Sequence, residues 1–145
     1  MQTTRITAVL VALVTIAAAG NAFAAPPCAM GMIDTDSVGN GNVSSNQGKG
    51  YGNQFTDTKR GDYNSTDSMA KGVCNTIISY QQGDDNWSRM TQIGDFGGIA
   101  SDLRDGADAD LFQKGDHSVT YAESNGGSIS STNVGNGSKV IAILN

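Results

Sequence analysis

The residues of this 145-residue chain that could do chemistry are few: one histidine, two cysteines and 14 acidic side chains. His117 falls in a Gly115-Asp116-His117-Ser118 cluster, a composition that makes tight turns, so it reads as a solvated loop residue rather than a general base. No Ser/His/Asp arrangement, metal-ligand cluster or phosphate loop can be assembled from the spacings. The expectation is a non-enzyme with no catalytic residue, no metal and no cofactor. Recurrent Gly-Asp pairs raise a calcium-binding β-roll, but that roll needs a Gly-Gly-x-Gly-x-Asp nonapeptide, which does not recur here. A flat surface-binding array would show Thr-x-Thr rows, and only Thr56-Asp57-Thr58 supplies one. Cys28 and Cys74 could form a disulfide if the chain is exported, and free thiols fit the sequence equally well.

The side chains that do recur are glycines and amides. Glycine stands at Gly39, Gly50, Gly61, Gly72, Gly83 and Gly94, an interval of eleven, and Asn42, Asn53, Asn64, Asn75 and Asn86 follow the first five by three residues. The beat continues with slips through Gly106, Gly115, Gly126 and Gly135, giving ten units. A helix is excluded, because a glycine in every unit costs about 1 kcal/mol each and Asn, Ser, Thr and Asp compete for helical hydrogen bonds. Between the glycines lie short β-branched and aromatic runs such as Thr76-Ile77-Ile78-Ser79-Tyr80-Gln81 and Val140-Ile141-Ala142-Ile143-Leu144. Each unit is therefore a strand plus a tight turn. Two units make one coil of about 22 residues, which predicts an all-β β-solenoid of about five strand-turn-strand-turn coils that assembles as cross-β amyloid.

Alternation along each strand assigns the inward side chains. With the Asn position inward, the sets are Asn75, Ile77, Ser79, Gln81; Asn86, Ser88, Met90, Gln92; Gly97, Ile99, Ser101, Leu103; and Ser138, Val140, Ala142, Leu144. Asp84, Asp85, Asp95, Asp102 and Asp116 fall outside them. The set Asn53, Phe55, Asp57, Lys59 would bury charge, so either those two charges pair or that coil is loose, and looseness is expected. Amides stacked coil upon coil can hydrogen-bond along the stack, so Asn42, Asn53, Asn64, Asn75 and Asn86, with Gln81, Gln92 and Gln113, form the expected ladder. Acidic residues beside the repeat glycines, Asp62, Asp84, Asp85, Asp95 and Asp116, either retard assembly by repelling their copies or simply solvate the turns.

Residues 1–24 read as a secretory leader, with Arg5, an apolar stretch from Ile6 to Ala19, and an Ala22-Phe23-Ala24 cleavage site. Residues 25–36 form an N-terminal segment and residues 37–145 the repeat region. No membrane span is expected once the leader is removed. Removing the leader takes one base from 9, against 14 acids, for a net charge of −6. That balance disfavours nucleic acid as a partner.

Gln81-Gln82-Gly83-Asp84-Asp85-Asn86-Trp87-Ser88-Arg89-Met90-Thr91-Gln92 resembles the curlin repeat, Gln-x-Gly-x-x-Asn-x-Ala-x-x-x-Gln, with Ser88 in the Ala place, and Gln113-Lys114-Gly115 repeats its opening. The weaker Gly/Asn register covers about residues 37 to 145. The Gln place is elsewhere filled by Gly48, Lys59, Ala70, Leu103, Ser124 and Asn133, so the match is divergent. The resemblance implies a subunit of curli, the extracellular amyloid fibres (pili) of bacterial biofilms and adhesion, secreted through the periplasm and an outer-membrane pore. It also implies self-polymerisation by head-to-tail stacking and a second curlin subunit as partner. The alternative is a non-fibrillar β-solenoid adhesin that binds a surface or calcium.

Overall fold

The computed structural model describes residues 30–115, 119–135 and 139–144; the expected leader and its cleavage site, Cys28, Asp116, His117, Ser118 and Ser138 lie outside them. Among the described residues there are nine strands and no helix: β1 (Met32–Val38), β2 (Val43–Lys49), β3 (Gln54–Arg60), β4 (Ser65–Lys71), β5 (Thr76–Gln82), β6 (Trp87–Ile93), β7 (Gly98–Lys114), β8 (Val119–Val134) and β9 (Lys139–Leu144). Every pairing is parallel. β1, β3, β5, the first halves of β7 and β8, and β9 stack in one row; β2, β4, β6 and the second halves of β7 and β8 stack in the other. The molecule is a parallel β-solenoid of about five turns, as the eleven-residue beat predicts. β1 begins at Met32, so the first coil takes in residues assigned from sequence to the N-terminal segment.

The slips in the beat have a structural origin. Partners are 22 residues apart from Met32 through Gln54 and Thr76 to Gly98, then 21 from Gly98 to Val119, then 20 from Val119 to Lys139. The shortening occurs at one corner, which is four residues long at 83–86, two at Asp105-Gly106, and one at Gly126, where the register shifts. β7 and β8 run long because so short a corner barely interrupts them.

Alternation places one side of each strand inside. Phe55, Ile77 and Ile99 stand in register one above another, and Met90 stands over Leu111; all are buried. With Ala70, Leu103, Ala109, Ala122 and Ile129 they form the apolar interior. Two expectations are corrected. The second coil is not loose: Asp57 and Lys59 are both buried and form an ion pair, and the hydroxyls of Ser44 and Thr66 donate to the carboxylate. In the last set Val140 and Ala142 are only half-buried and Leu144 is exposed, because among the described residues no strand of the second row faces β9.

Candidate functional site: the corners and edges of the coil stack

The repeat glycines owe their identity to backbone geometry. Gly72 has a φ of 129°, and a Cβ on it would lie 2.0 Å from the carbonyl oxygen of Gly94 in the next coil. Gly39, Gly50, Gly61 and Gly94 are pressed against the following corner in the same way, while Gly83, Gly115, Gly126 and Gly135 also carry positive φ. Two residues on, the corner needs a second left-handed residue, filled by Gly41, Gly52, Tyr63, Cys74, Asp85 and Phe96.

Asparagine closes the corner across coils. Asn64 donates from Nδ2 to the Gly83 carbonyl at 2.8 Å, while its Oδ1 accepts the Asn86 backbone N–H at 3.1 Å and the Asn86 side-chain N–H at 2.8 Å. Asn42 does the same for Gly61 and Asn64, Asn53 for Gly72 and Asn75, and Asn75 for Gly94 and Gly97. Each asparagine thus holds the four-residue arch of the coil that follows. Asn86 ends its series by accepting from the Ala107 N–H, beyond which the corner shortens and carries no amide.

The glutamines do not form a comparable ladder. Gln81 is stacked between Lys59 and Leu103 and donates to the Ser65 carbonyl and to Ser88 Oγ. Gln92 and Gln113 are in register and fully buried, but no hydrogen bond joins them; Gln113 accepts from Thr120, and the Gln92 amide has no partner among the described residues. Gln92 fills the space left where Gly97 replaces asparagine, since a Cβ there would meet its Nε2 at 1.9 Å.

The corner carboxylates have a role that sequence did not foresee. Asp62 accepts the Asn40 N–H at 2.7 Å, Asp84 the Asp62 N–H at 2.8 Å, and Asp95 the Val73 N–H at 2.7 Å. Each ties its corner to the coil before it. Cys74, in a corner, is disulfide-bonded, and Cys28 lies outside the described residues.

Inside, burial lowers the Lys59 ammonium below its usual pKa, opposed by its hydrogen bond and charge attraction to Asp57. Outside, Asp102 lies off the inward sets as alternation places it, yet it is only 8% exposed. Arg104 donates to it from Nε at 3.3 Å and Nη2 at 3.0 Å. Burial raises the Asp102 carboxyl, Arg104 counteracts this, and Glu123 in the adjoining strand adds to the rise. Tyr121, buried beside Ala100 and packed on Ile78 and Val119, donates to Glu123 at 3.0 Å, and burial raises its phenol. The signal for this patch was present in outward positions 78, 100 and 121, which carry Ile, Ala and Tyr in successive coils.

Among the described residues the two ends of the stack are open edges. Among the described residues β1 pairs only with β3, β2 only with β4, and β9 only with β8. Met30, Met32, Ile33, Val38 and Val43 are exposed at one end and Val134, Ile141, Ile143 and Leu144 at the other.

No protein-family model matches the chain, and no curated protein matches it. A crystal structure of the polySia specific acetyltransferase NeuO is similar over 70% of this chain, with a TM-score of 0.47 and 16% sequence identity. The chain spans 47% of that protein's length. The expectation of a non-enzyme is corrected only to this extent: the protein matched is an acetyltransferase.

Proposed function

We propose that this chain is an exported structural subunit of curlin-type extracellular fibres, joined to its neighbours by coil edges. The supporting observation is the pair of open parallel edges, each lined by exposed apolar residues and each with the strand spacing and direction that another coil would continue. The curlin-like residues support it as well, since Gln81, Asn86, Ser88 and Gln92 are all buried along the stack. Export rests on the leader read from residues 1–24, with delivery to the cell surface by way of the periplasm.

The test uses the exported chain, residue 25 onward. It should convert from monomer to fibres whose aligned samples give a meridional reflection near about 4.7 Å, the separation of paired strands. A folded monomer that never assembles at any concentration would refute the proposal and favour the surface-binding solenoid.

A further inference from the structure

We propose that Lys59 and Asp57 are the reactants of a self-modification: inside the folded coil the Lys59 amine condenses with the Asp57 carboxyl group, forming a side-chain amide and releasing one water. The substrate is the chain itself, and the step needs only a single folded molecule, whether or not molecules assemble. Lys49, Lys71, Lys114 and Lys139 are exposed. Lys59 alone among the described lysines is buried, and its ammonium is paired with the buried Asp57 carboxylate.

The two side chains stand two residues apart on the inward side of β3, which is paired on one side with β1 and on the other with β5. Amine and carboxyl group are therefore carried by one clamped strand and held together without any encounter step. Lys59 Nζ donates to Asp57 Oδ2 and, at 2.7 Å, to Ser44 Oγ, which in turn donates to the same Oδ2 at 2.5 Å. Ser44 thus bridges the atom that must lose protons and the oxygen that must gain them. The other carboxylate oxygen, Oδ1, accepts from Thr66 Oγ1 at 3.2 Å. The surroundings favour the neutral forms, because two charges removed from water are costly even when paired. Burial accordingly lowers the Lys59 ammonium, although attraction to Asp57 opposes it.

The step balances without a co-reactant. Ser44 Oγ takes a proton from the ammonium while passing its own to Oδ2, which leaves a neutral amine and a neutral acid. The Nζ lone pair attacks Cγ; the C–N bond forms and the carbonyl electron pair moves onto Oδ1, where the Thr66 hydroxyl stabilises the oxyanion. A second passage through Ser44 carries a proton from Nζ to Oδ2. The Cγ–Oδ2 bond then breaks, the Oδ1 pair re-forms the carbonyl, and water departs. One ammonium and one carboxylate become one amide and one water, with no oxidant or reductant. Ser44 is exposed on the first coil, so the water has a short way out. The product removes both charges from the interior and leaves a neutral amide in the layer next to Gln81, with which Lys59 is in register.

The test is the mass of the chain, followed over time at neutral pH, with folding checked by far-ultraviolet circular dichroism. The folded chain should lose the mass of one water, and fragment masses should place the loss between residues 57 and 59. The same chain held unfolded in urea should keep its full mass, a control that needs no variant. Lys59→Arg should keep it as well, since a guanidinium stays protonated and does not attack. After unfolding, an amine-acylating reagent should label Lys49 and Lys71 but leave Lys59 untouched. Ser44→Ala, at an exposed position, should slow the loss at least about a hundredfold. A folded chain that keeps its full mass, with Lys59 open to acylation, overturns the proposal. So does a loss of water that maps elsewhere, such as a succinimide at Asp105-Gly106. An unchanged rate in Ser44→Ala overturns the relay through that hydroxyl.

Discussion

Truncating Asn64 to alanine tests whether the corner amides or the apolar interior set stability. Asn64 is fully buried and serves three hydrogen bonds: to the Gly83 carbonyl, from the Asn86 backbone N–H, and from the Asn86 side chain. After Asn64→Ala, Asn86 Nδ2 keeps the Gln82 carbonyl at 3.0 Å, but the Asn86 backbone N–H is left buried without an acceptor. An orphaned buried donor costs about 1–3 kcal/mol, and the half-buried Gly83 carbonyl loses a bond worth about 0.5–1.5 kcal/mol net. The expected loss is about 2–4 kcal/mol. Asn42→Ala removes the same side chain at the open end, where water replaces it, and should cost about 1 kcal/mol or less. Urea unfolding of the soluble chain, followed by far-ultraviolet circular dichroism before any assembly, measures both. Losses equal within about 0.5 kcal/mol would refute the idea that the buried rungs hold the corners together.

Gly72→Ala should cost more than Gly106→Ala, because the first would place a Cβ 2.0 Å from a backbone oxygen whereas nothing lies within 4 Å of the second; similar unfolding midpoints would contradict this. Lys59→Met should destabilise by about 3–5 kcal/mol by leaving Asp57 buried and unpaired, while Asp57→Leu combined with Lys59→Met should be neutral or stabilising; a double variant no better than the single would show that the pair itself is required. Asp102 has a raised folded-state pKa, so it favours folding below the usual carboxylate pKa of 3.8 and loses that contribution as pH rises through the raised value. Urea midpoints measured from pH 3 to 8 should therefore decline less steeply in Asp102→Asn than in the parent, and parallel profiles would reject the assignment.

The solenoid was legible because its corners demand particular residues. A φ of 129° with a carbonyl 2.0 Å from the missing Cβ admits only glycine, and an amide that donates to one corner atom while accepting from another favours asparagine. Such demands write a period into the sequence. The pinched corners were not legible as corners, because Asp105-Gly106 and Gly126 leave only slips of one or two residues. Asp57 and Lys59 were placed inside correctly, but whether they would meet depends on Ser44 and Thr66 from the facing row, which no single-strand pattern reveals. The burial of Asp102 was not legible because alternation separates the two faces of a strand and says nothing of neighbours such as Arg104 that cover the outer one.

Uniform strand separation has a kinetic meaning. Every paired strand lies 20 to 22 residues from its partner, so each new layer closes a loop of nearly the same length and meets nearly the same entropic barrier. No layer waits on a distant part of the chain. Folding can start wherever two layers first meet and advance like a zipper in either direction, so a polypeptide delivered end first can begin to organise once two layers have emerged.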